Sequence, residues 1–352
     1  MTQQKALILP KKHGEFEVGL VDIPTPGPGE LLVKIQSTAL NPVDWKIQVI
    51  GFFVDESSYP FVLGTDSAGI VEAVGEGVTN FKVGDKVFHQ GNFAHRNATF
   101  QQYTIVPAEI TAKLPENLSY DQAASVPLGL ATGATGFYNP IETGAGLGLT
   151  APWEGGEGKY SDQGILIFGG ASSVGQYSHN PPYAIAIQLA KLSGFNPIVT
   201  TASLHNTELL KSLGATHVID RKADVVAEAS KIFSEPPKII YDAISLAPTQ
   251  TAAWKILAKD GSLILVLPPT EGIKAGDDGK RLAHVYGNVF TQRKLGVSMY
   301  PNLTEYFASG KLKPNKVEVL PNGLAGIPDG LVRMQKDQVS GVKLIARPQE
   351  TP

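Results

Sequence analysis

Ile165-Leu-Ile-Phe-Gly-Gly-Ala-Ser-Ser-Val-Gly175 is an apolar run that breaks into a turn built mostly of small residues. Four apolar side chains in a row, without alternation, suit a strand buried on both faces of a parallel sheet. Small side chains let a backbone approach an anion, and the free N–H groups that open the next helix bind one. From Gly169 through Ser172 to Gly175 the spacing is G-x-x-S-x-x-G, a departure from G-x-G-x-x-G. Outward from this turn the pattern alternates. Strands are expected over 198–201, 217–219, 239–243 and 262–267, and helices over 184–191, 207–213, 223–233 and 249–257. Gly214 is placed as a C-cap. Such alternation predicts an α/β fold with a doubly wound parallel sheet.

The helix after the turn is expected to be interrupted. Pro181 and Pro182 fall where a continuous helix needs backbone donors, and an interior proline costs about 3 kcal/mol. Asn180 is placed as the N-cap of a restarted helix. The second strand ends in Thr200-Thr-Ala-Ser-Leu-His-Asn206. Sites selective for NAD place an acid there to hold the ribose hydroxyls. None is present, and Ser203, His205 and Asn206 are donors compatible with a 2′-phosphate. Arg221 lies just past the next strand, where it can cover the adenine or pair with that phosphate. The expected cofactor is NADPH. The bland alternative is a polar helix-capping loop.

The first third reads differently. Runs over 6–9, 16–21, 30–38, 69–74, 84–88 and 98–106 are strand-like, and Gly and Pro punctuate them at short intervals. This suits a rolled-up antiparallel barrel. Residues 316–346 return to strand-like pieces around one helix, 326–335, and are expected to fold back onto the barrel. Residues 144–163 form a polar, Gly-rich stretch whose length points to a lid, another functional loop or disorder.

Composition narrows the classes. The chain has 352 residues, too long for one ordinary core, with 42% hydrophobic and 18% charged residues and a net charge of −3. No basic stripe argues for nucleic acid or an anionic membrane, and no run is apolar enough to span a bilayer. There is no cysteine, which removes disulfides and any thiolate zinc site. The seven histidines are scattered. No metal site is expected. His89 and His95, around Gly91-Asn-Phe93, read as loop residues. The N-terminus lacks a signal-peptide core, so the expected address is cytoplasmic.

Asn41-Pro-Val-Asp-Trp-Lys46, Gly64-Thr-Asp-Ser-Ala-Gly69, Val83-Gly-Asp-Lys-Val87, Gly169 to Gly175 and Val339-Ser-Gly-Val-Lys-Leu344 together resemble the medium-chain dehydrogenase/reductase superfamily. The resemblance covers nearly the whole chain. Within the superfamily it is similar to the zinc-independent quinone oxidoreductases, and more so to the fungal trans-acting enoyl reductases that serve polyketide synthases. It implies a GroES-like antiparallel β-barrel domain from 1–126 and 305–352, and a Rossmann NADP-binding domain from 127–304. It implies cofactor contacts at Val43, Asp44, Ser172, Ser173, Val174, Gly175, Ser203, His205, Asn206, Arg221, Leu267, Pro268, Val339 and Ser340. Asn41 to Lys46 stands for the first Cys segment of the zinc enzymes, and Thr65 for their His. Two features depart from the relatives: an insertion at Ser178 to Ile185, and Arg221 where they often carry Tyr.

The resemblance implies hydride addition to the β-carbon of an activated alkene, with an enolate to be stabilised. Lys46 would donate to a cofactor ribose or to that enolate, or stand as a solvated amine. Thr132 would face the nicotinamide amide, or bond back to its own helix. Asp66 reads as orienting the barrel loop. Tyr138 is a proton donor or, more simply, a core aromatic. The substrate class is a small-molecule enone, a quinone or a carrier-bound enoyl group, handled by a monomer or homodimer. The alternative is a non-enzymatic NADPH-binding protein, a sensor or partner subunit.

Overall fold

A computed structural model describes residues 2–51, 54–170 and 184–352. Ser172, Ser173, Val174, Gly175 and the expected break at Pro181 and Pro182 lie outside the described residues. The chain opens with β1 (Gln3–Leu9), β2 (Glu17–Asp22), β3 (Glu30–Ala39), α1 (Pro42–Ile50), β4 (Phe61–Val62), β5 (Asp66–Val74), β6 (Lys86–Gln90), β7 (Tyr103–Pro107), β8 (Thr111–Lys113), α2 (Tyr120–Ala124) and α3 (Pro127–Tyr138). It continues with β9 (Ile165–Phe168), α4 (Ala184–Ser193), β10 (Ile198–Ala202), α5 (Thr207–Leu213), β11 (His217–Asp220), α6 (Val225–Ile232), β12 (Ile239–Asp242), α7 (Ala247–Ile256), β13 (Ser262–Leu265) and β14 (Arg281–His284). It ends with α8 (Arg293–Ala308), β15 (Val317–Val319), α9 (Ile327–Gln335) and β16 (Lys343–Ala346).

Two compact units result, one from Met1–Leu128, Asn288–Gly310 and Pro314–Pro352, the other from Gly129–Gly287 and Lys311–Lys313. In the first, a β2-β1-β4 sheet accompanies a larger sheet of order β15-β16-β3-β5-β6-β8, with β7 also on β3. The β3–β5 ladder shifts register between Leu32 and Val33 and again between Ile35 and Ser37. Such bulges bend a strand and let a sheet curl. The chain end does return to this sheet: β16 pairs antiparallel with β3, Ile345 opposite Ala39. Leu320, Leu324, Leu331 and Leu344 share its core with Leu7, Leu9 and Phe100.

The expected strand over 98–106 begins only at Tyr103. Upstream of it the backbone pairs elsewhere: Gln101 forms an isolated antiparallel bridge with Ala6, Phe100 carbonyl accepts the Leu7 N–H, and Gln102 N–H donates to Lys5 carbonyl. The side-chain amide of Gln101 donates to the carbonyls of His95 and Ala98 and holds that turn against the bridge.

In the second unit the sheet order is β11-β10-β9-β12-β13-β14, and every neighbouring pair is parallel. This is the doubly wound order, reversing direction between β9 and β12. The 144–163 segment is fastened rather than lid-like. Leu147 and Leu149 N–H bond to carbonyls of Gly136 and Phe137 on α3, and Gly158 N–H to Leu192 on α4. Trp153 packs edge-on against Tyr138, and Tyr160 stacks on Phe195. Gly144 carbonyl accepts the N–H of His284, the last residue of β14. Tyr138 hydroxyl meets Ser193 Oγ at 2.8 Å, the core role rather than a proton donor. Among the described residues no helix is long and apolar enough to cross a membrane.

His89 is not a loop residue but part of β6, fully buried, with Nε2 2.9 Å from Ser67 Oγ directly across the ladder. Burial holds its imidazole down at about 4. The unfolded chain takes up that proton below about pH 6.5, while the folded protein resists until about pH 4. Stability is therefore complete above the unfolded value and falls between these limits. Buried Asp44 and Asp242, pushed up to about 7 and 6 by desolvation, act in the opposite sense, losing stability as pH rises through those values. A difference measurement separates them. From pH 6.5 to 4, His89→Gln should lose less urea stability than the parent; parallel curves would refute it.

Candidate functional site

A cavity of about 460 Å³ opens at the carboxyl ends of β9, β10, β11 and β12. Its lining comes from Phe168 and Gly169 at the end of β9, Thr201, Ala202 and Ser203 at the end of β10 and just past it, Arg221 and Lys222 past β11, and Ile244, Leu246 and Thr249 from the β12–α7 connection and the first turn of α7. Ligands of open α/β sheets lie along this edge, outside the carboxyl ends. Gly169 has φ of 83°, a left-handed turn that a β-carbon disfavours. It turns the chain as it leaves β9. Thr201 Oγ1 accepts the Gly169 N–H at 3.0 Å.

The charge pattern of the cavity favours an anion. Ser203 holds the place where an acid would select ribose hydroxyls. Two carboxylates lie nearby: Asp224, which also lines the cavity, caps α6 by accepting from Val226 and Ala227 N–H, and Asp220 accepts the Lys222 N–H. Arg221 and Lys222 supply the cationic wall. An adenosine bearing a 2′-phosphate fits this donor set.

The barrel unit holds a second cluster. Lys343 on β16 is fully buried, with Nζ 2.5 Å from Asn41 Oδ1 and 3.2 Å from Asp66 Oδ2. Asn41 Nδ2 donates to the same Asp66 oxygen at 2.9 Å and to Thr65 Oγ1 at 3.3 Å. Asp66 Oδ1 accepts from the N–H of Leu128, near the start of α3, at 2.6 Å. Asp66 thus orients more than its own loop; it joins β5, β16, the head of α1 and the head of α3. Lys46 lies on α1, half-buried, its Nζ 5.8 Å from the Trp45 ring centre. Burial lowers its amine to about 8.

Residues 27–116 match the alcohol dehydrogenase GroES-like domain, and residues 184–304 match the family described as zinc-binding dehydrogenase. Trans-enoyl reductase himH of Aspergillus japonicus is 32% identical over 327 residues, which cover 90% of this chain and 89% of that relative. The chain belongs to the medium-chain dehydrogenase/reductase superfamily. Its fold is shared with a putative zinc-dependent alcohol dehydrogenase protein from Rhizobium etli CFN 42, at TM-score 0.79 and 23% identity, covering 99% of this chain and 98% of that one. A mycobacterial protein complexed with NADPH has TM-score 0.74 and 21% identity, covering 98% and 100%.

Within this medium-chain dehydrogenase/reductase the expected site residues separate. Ser203 and Arg221 line the cavity; His205 is exposed and Asn206 is buried, and neither is among the lining residues. Leu267 is half-buried and Pro268 exposed, just past β13. Val43 packs against the barrel core. Asp44 is fully buried, its two oxygens accepting from Asn41 and Gly64 N–H. Val339 is in the barrel core and Ser340 is exposed. Thr132 is nearly buried on α3, and its carbonyl accepts from Tyr241 hydroxyl at 3.0 Å. Gly287 makes room for it, since a β-carbon there would lie 2.2 Å from Thr132 Oγ1. Sequence reading missed Lys222 and Lys343. The first was signalled by its place beside Arg221. The second lay inside a quoted motif, but nothing local marks a lysine as buried.

Proposed function

We propose that this oxidoreductase reduces activated C=C bonds, in enone, quinone or carrier-bound enoyl substrates, using NADPH and no zinc. The observation that carries the reading is the cavity with Ser203, Arg221 and Lys222 at the strand ends, where the lining carboxylate, Asp224, serves as the N-cap of α6. The NADPH complex of a protein of the same fold and the trans-enoyl reductase relative support it. The zinc implied by the family description does not fit the residues present. The chain has no cysteine. Among the described residues no three His, Cys, Asp or Glu side chains gather as ligands. At Thr65 and Asp66 an ammonium already meets the carboxylate.

When bound, NADPH supplies the hydride. Ser203, Arg221 and Lys222 hold its adenosine end, and Leu267, Pro268, Val339 and Ser340 are proposed as further contacts, as is Val43 on α1. Asp44 serves by clasping the head of that helix. Thr132 orients the nicotinamide amide. Lys46 Nζ holds a proton for the enolate left after hydride addition.

The test is NADPH oxidation with an acceptor panel, with and without chelator. Turnover should be indifferent to chelator and should decline as pH rises through about 8, where Lys46 loses its proton. Lys46→Met should cut kcat about 100-fold and erase that limb. Inactivity with every acceptor at saturating NADPH would overturn the reading; tight NADPH binding without turnover would instead favour the sensor or partner-subunit alternative.

A further inference from the structure

Three buried polar side chains in the second unit are not used by the chemistry just described. Asp242 closes β12 with no exposed surface; Gln250 is equally hidden and Ser245 almost so. Asp242 Oδ1 accepts from Ile244 and Ser245 N–H at 3.0 and 2.8 Å, and Oδ2 from Thr249 Oγ1 at 2.7 Å. Ser245 has φ of 54°, a conformation that residues with a β-carbon seldom adopt. Its hydroxyl donates to Asp242 carbonyl at 2.6 Å and accepts the Val266 N–H at 2.9 Å. Its own carbonyl accepts from Gln250 Nε2 at 2.8 Å. Gln250 Nε2 also donates to Pro268 carbonyl at 3.0 Å, and Oε1 accepts from Thr270 N–H at 2.8 Å and Thr270 Oγ1 at 3.2 Å. The hydrogen-bonding capacity of that amide is fully used.

The network therefore spans two segments. On one side are Ile244, Leu246 and Thr249, which wall the cavity. On the other is the stretch from Val266 to Thr270 that leaves β13, the strand next to β12. A dinucleotide laid along the carboxyl ends, across the reversal point between β9 and β12, runs from the first toward the second. Strain such as that of Ser245 persists only where surroundings over-determine it, and it concentrates at ligand sites.

We propose that Ser245 and Gln250 are positioning residues that lock 266–270 to the wall of the adenosine cavity, so that the nicotinamide half of the cofactor meets a preformed surface. The inference rests on the NADPH reading above. Preorganisation of this kind raises affinity by removing the ordering cost of binding.

The test uses two probes on the full chain, NADPH and adenosine 2′,5′-bisphosphate, which reaches only the adenosine cavity. Ser245→Gly keeps the backbone turn comfortable and deletes the bond to Val266; Gln250→Leu deletes the bonds to Pro268 and Thr270. Both variants should bind the bisphosphate within about twofold of the parent and NADPH about tenfold more weakly. Amide hydrogen exchange over 266–270 should rise in both without ligand, relative to the parent. Unchanged NADPH affinity in Ser245→Gly, or equal weakening of both probes, overturns the inference alone. A parent protein that binds neither probe overturns the cofactor reading and the inference with it.

Discussion

Lys343→Met lowers the urea stability of the protein by about 3–5 kcal/mol at neutral pH. The variant removes the ammonium that faces Asp66 Oδ2 at 3.2 Å, where neither side chain is exposed. The carboxylate is then left buried among Asn41, Thr65 and the Leu128 N–H with no cation. Breaking a buried pair from one side costs far more than the pair itself contributes, because the surviving charge is uncompensated. The double variant Lys343→Met with Asp66→Asn should recover much of the loss, since the amide oxygen can still accept the Leu128 N–H while the charge is gone. A loss under about 1 kcal/mol in the single variant would mean that the charge finds other relief.

Ser203→Asp weakens NADPH on the order of 100-fold and leaves NADH within a few-fold. The residue follows β10 directly and lines the cavity with Arg221 and Lys222, which follow the neighbouring strand β11. A carboxylate placed there repels a 2′-phosphate and accepts from ribose hydroxyls, the arrangement of NAD-selective sites. Cofactor fluorescence titration reads the ratio directly. Equal weakening of both dinucleotides would place the 2′-phosphate elsewhere.

Local pattern explains most of what could be read in advance. The apolar run at β9 and the helix over Thr207–Leu213 occur where periodicity and capping put them, because strands buried on both faces and amphipathic helices announce themselves in neighbouring residues. The long helix α8 did not, although Leu295, Met299, Leu303 and Phe307 recur every four positions on its buried side. Pro301 and Gly296 inside it argue locally against a helix, and tertiary burial overrides them. The site divides the same way. The place of Ser203 and Arg221 in the cavity lining was legible because the crevice of a doubly wound sheet lies at the strand ends. His205 faces outward and Asn206 inward, a choice made by the short turn at Leu204–Asn206 and its packing rather than by composition. Lys343 was illegible because its burial depends on Asn41, 302 positions away in the chain. The Ser245 and Gln250 network is equally non-local, joining loops that only the folded sheet brings together.

The fastening of 144–163 bears on how copies of this protein meet one another. β14 ends the parallel sheet, and an end strand offers unpaired amides that a neighbouring molecule can use to extend the sheet. Gly144 already takes the N–H of His284 there. A chain adding to this strand at His284 would compete with that bond, whose acceptor lies at the start of a segment tied to α3 and α4. The last residue of the sheet's end strand thus spends its outward amide within its own chain, and the backbone that takes it belongs to a stretch that resembles a lid in sequence.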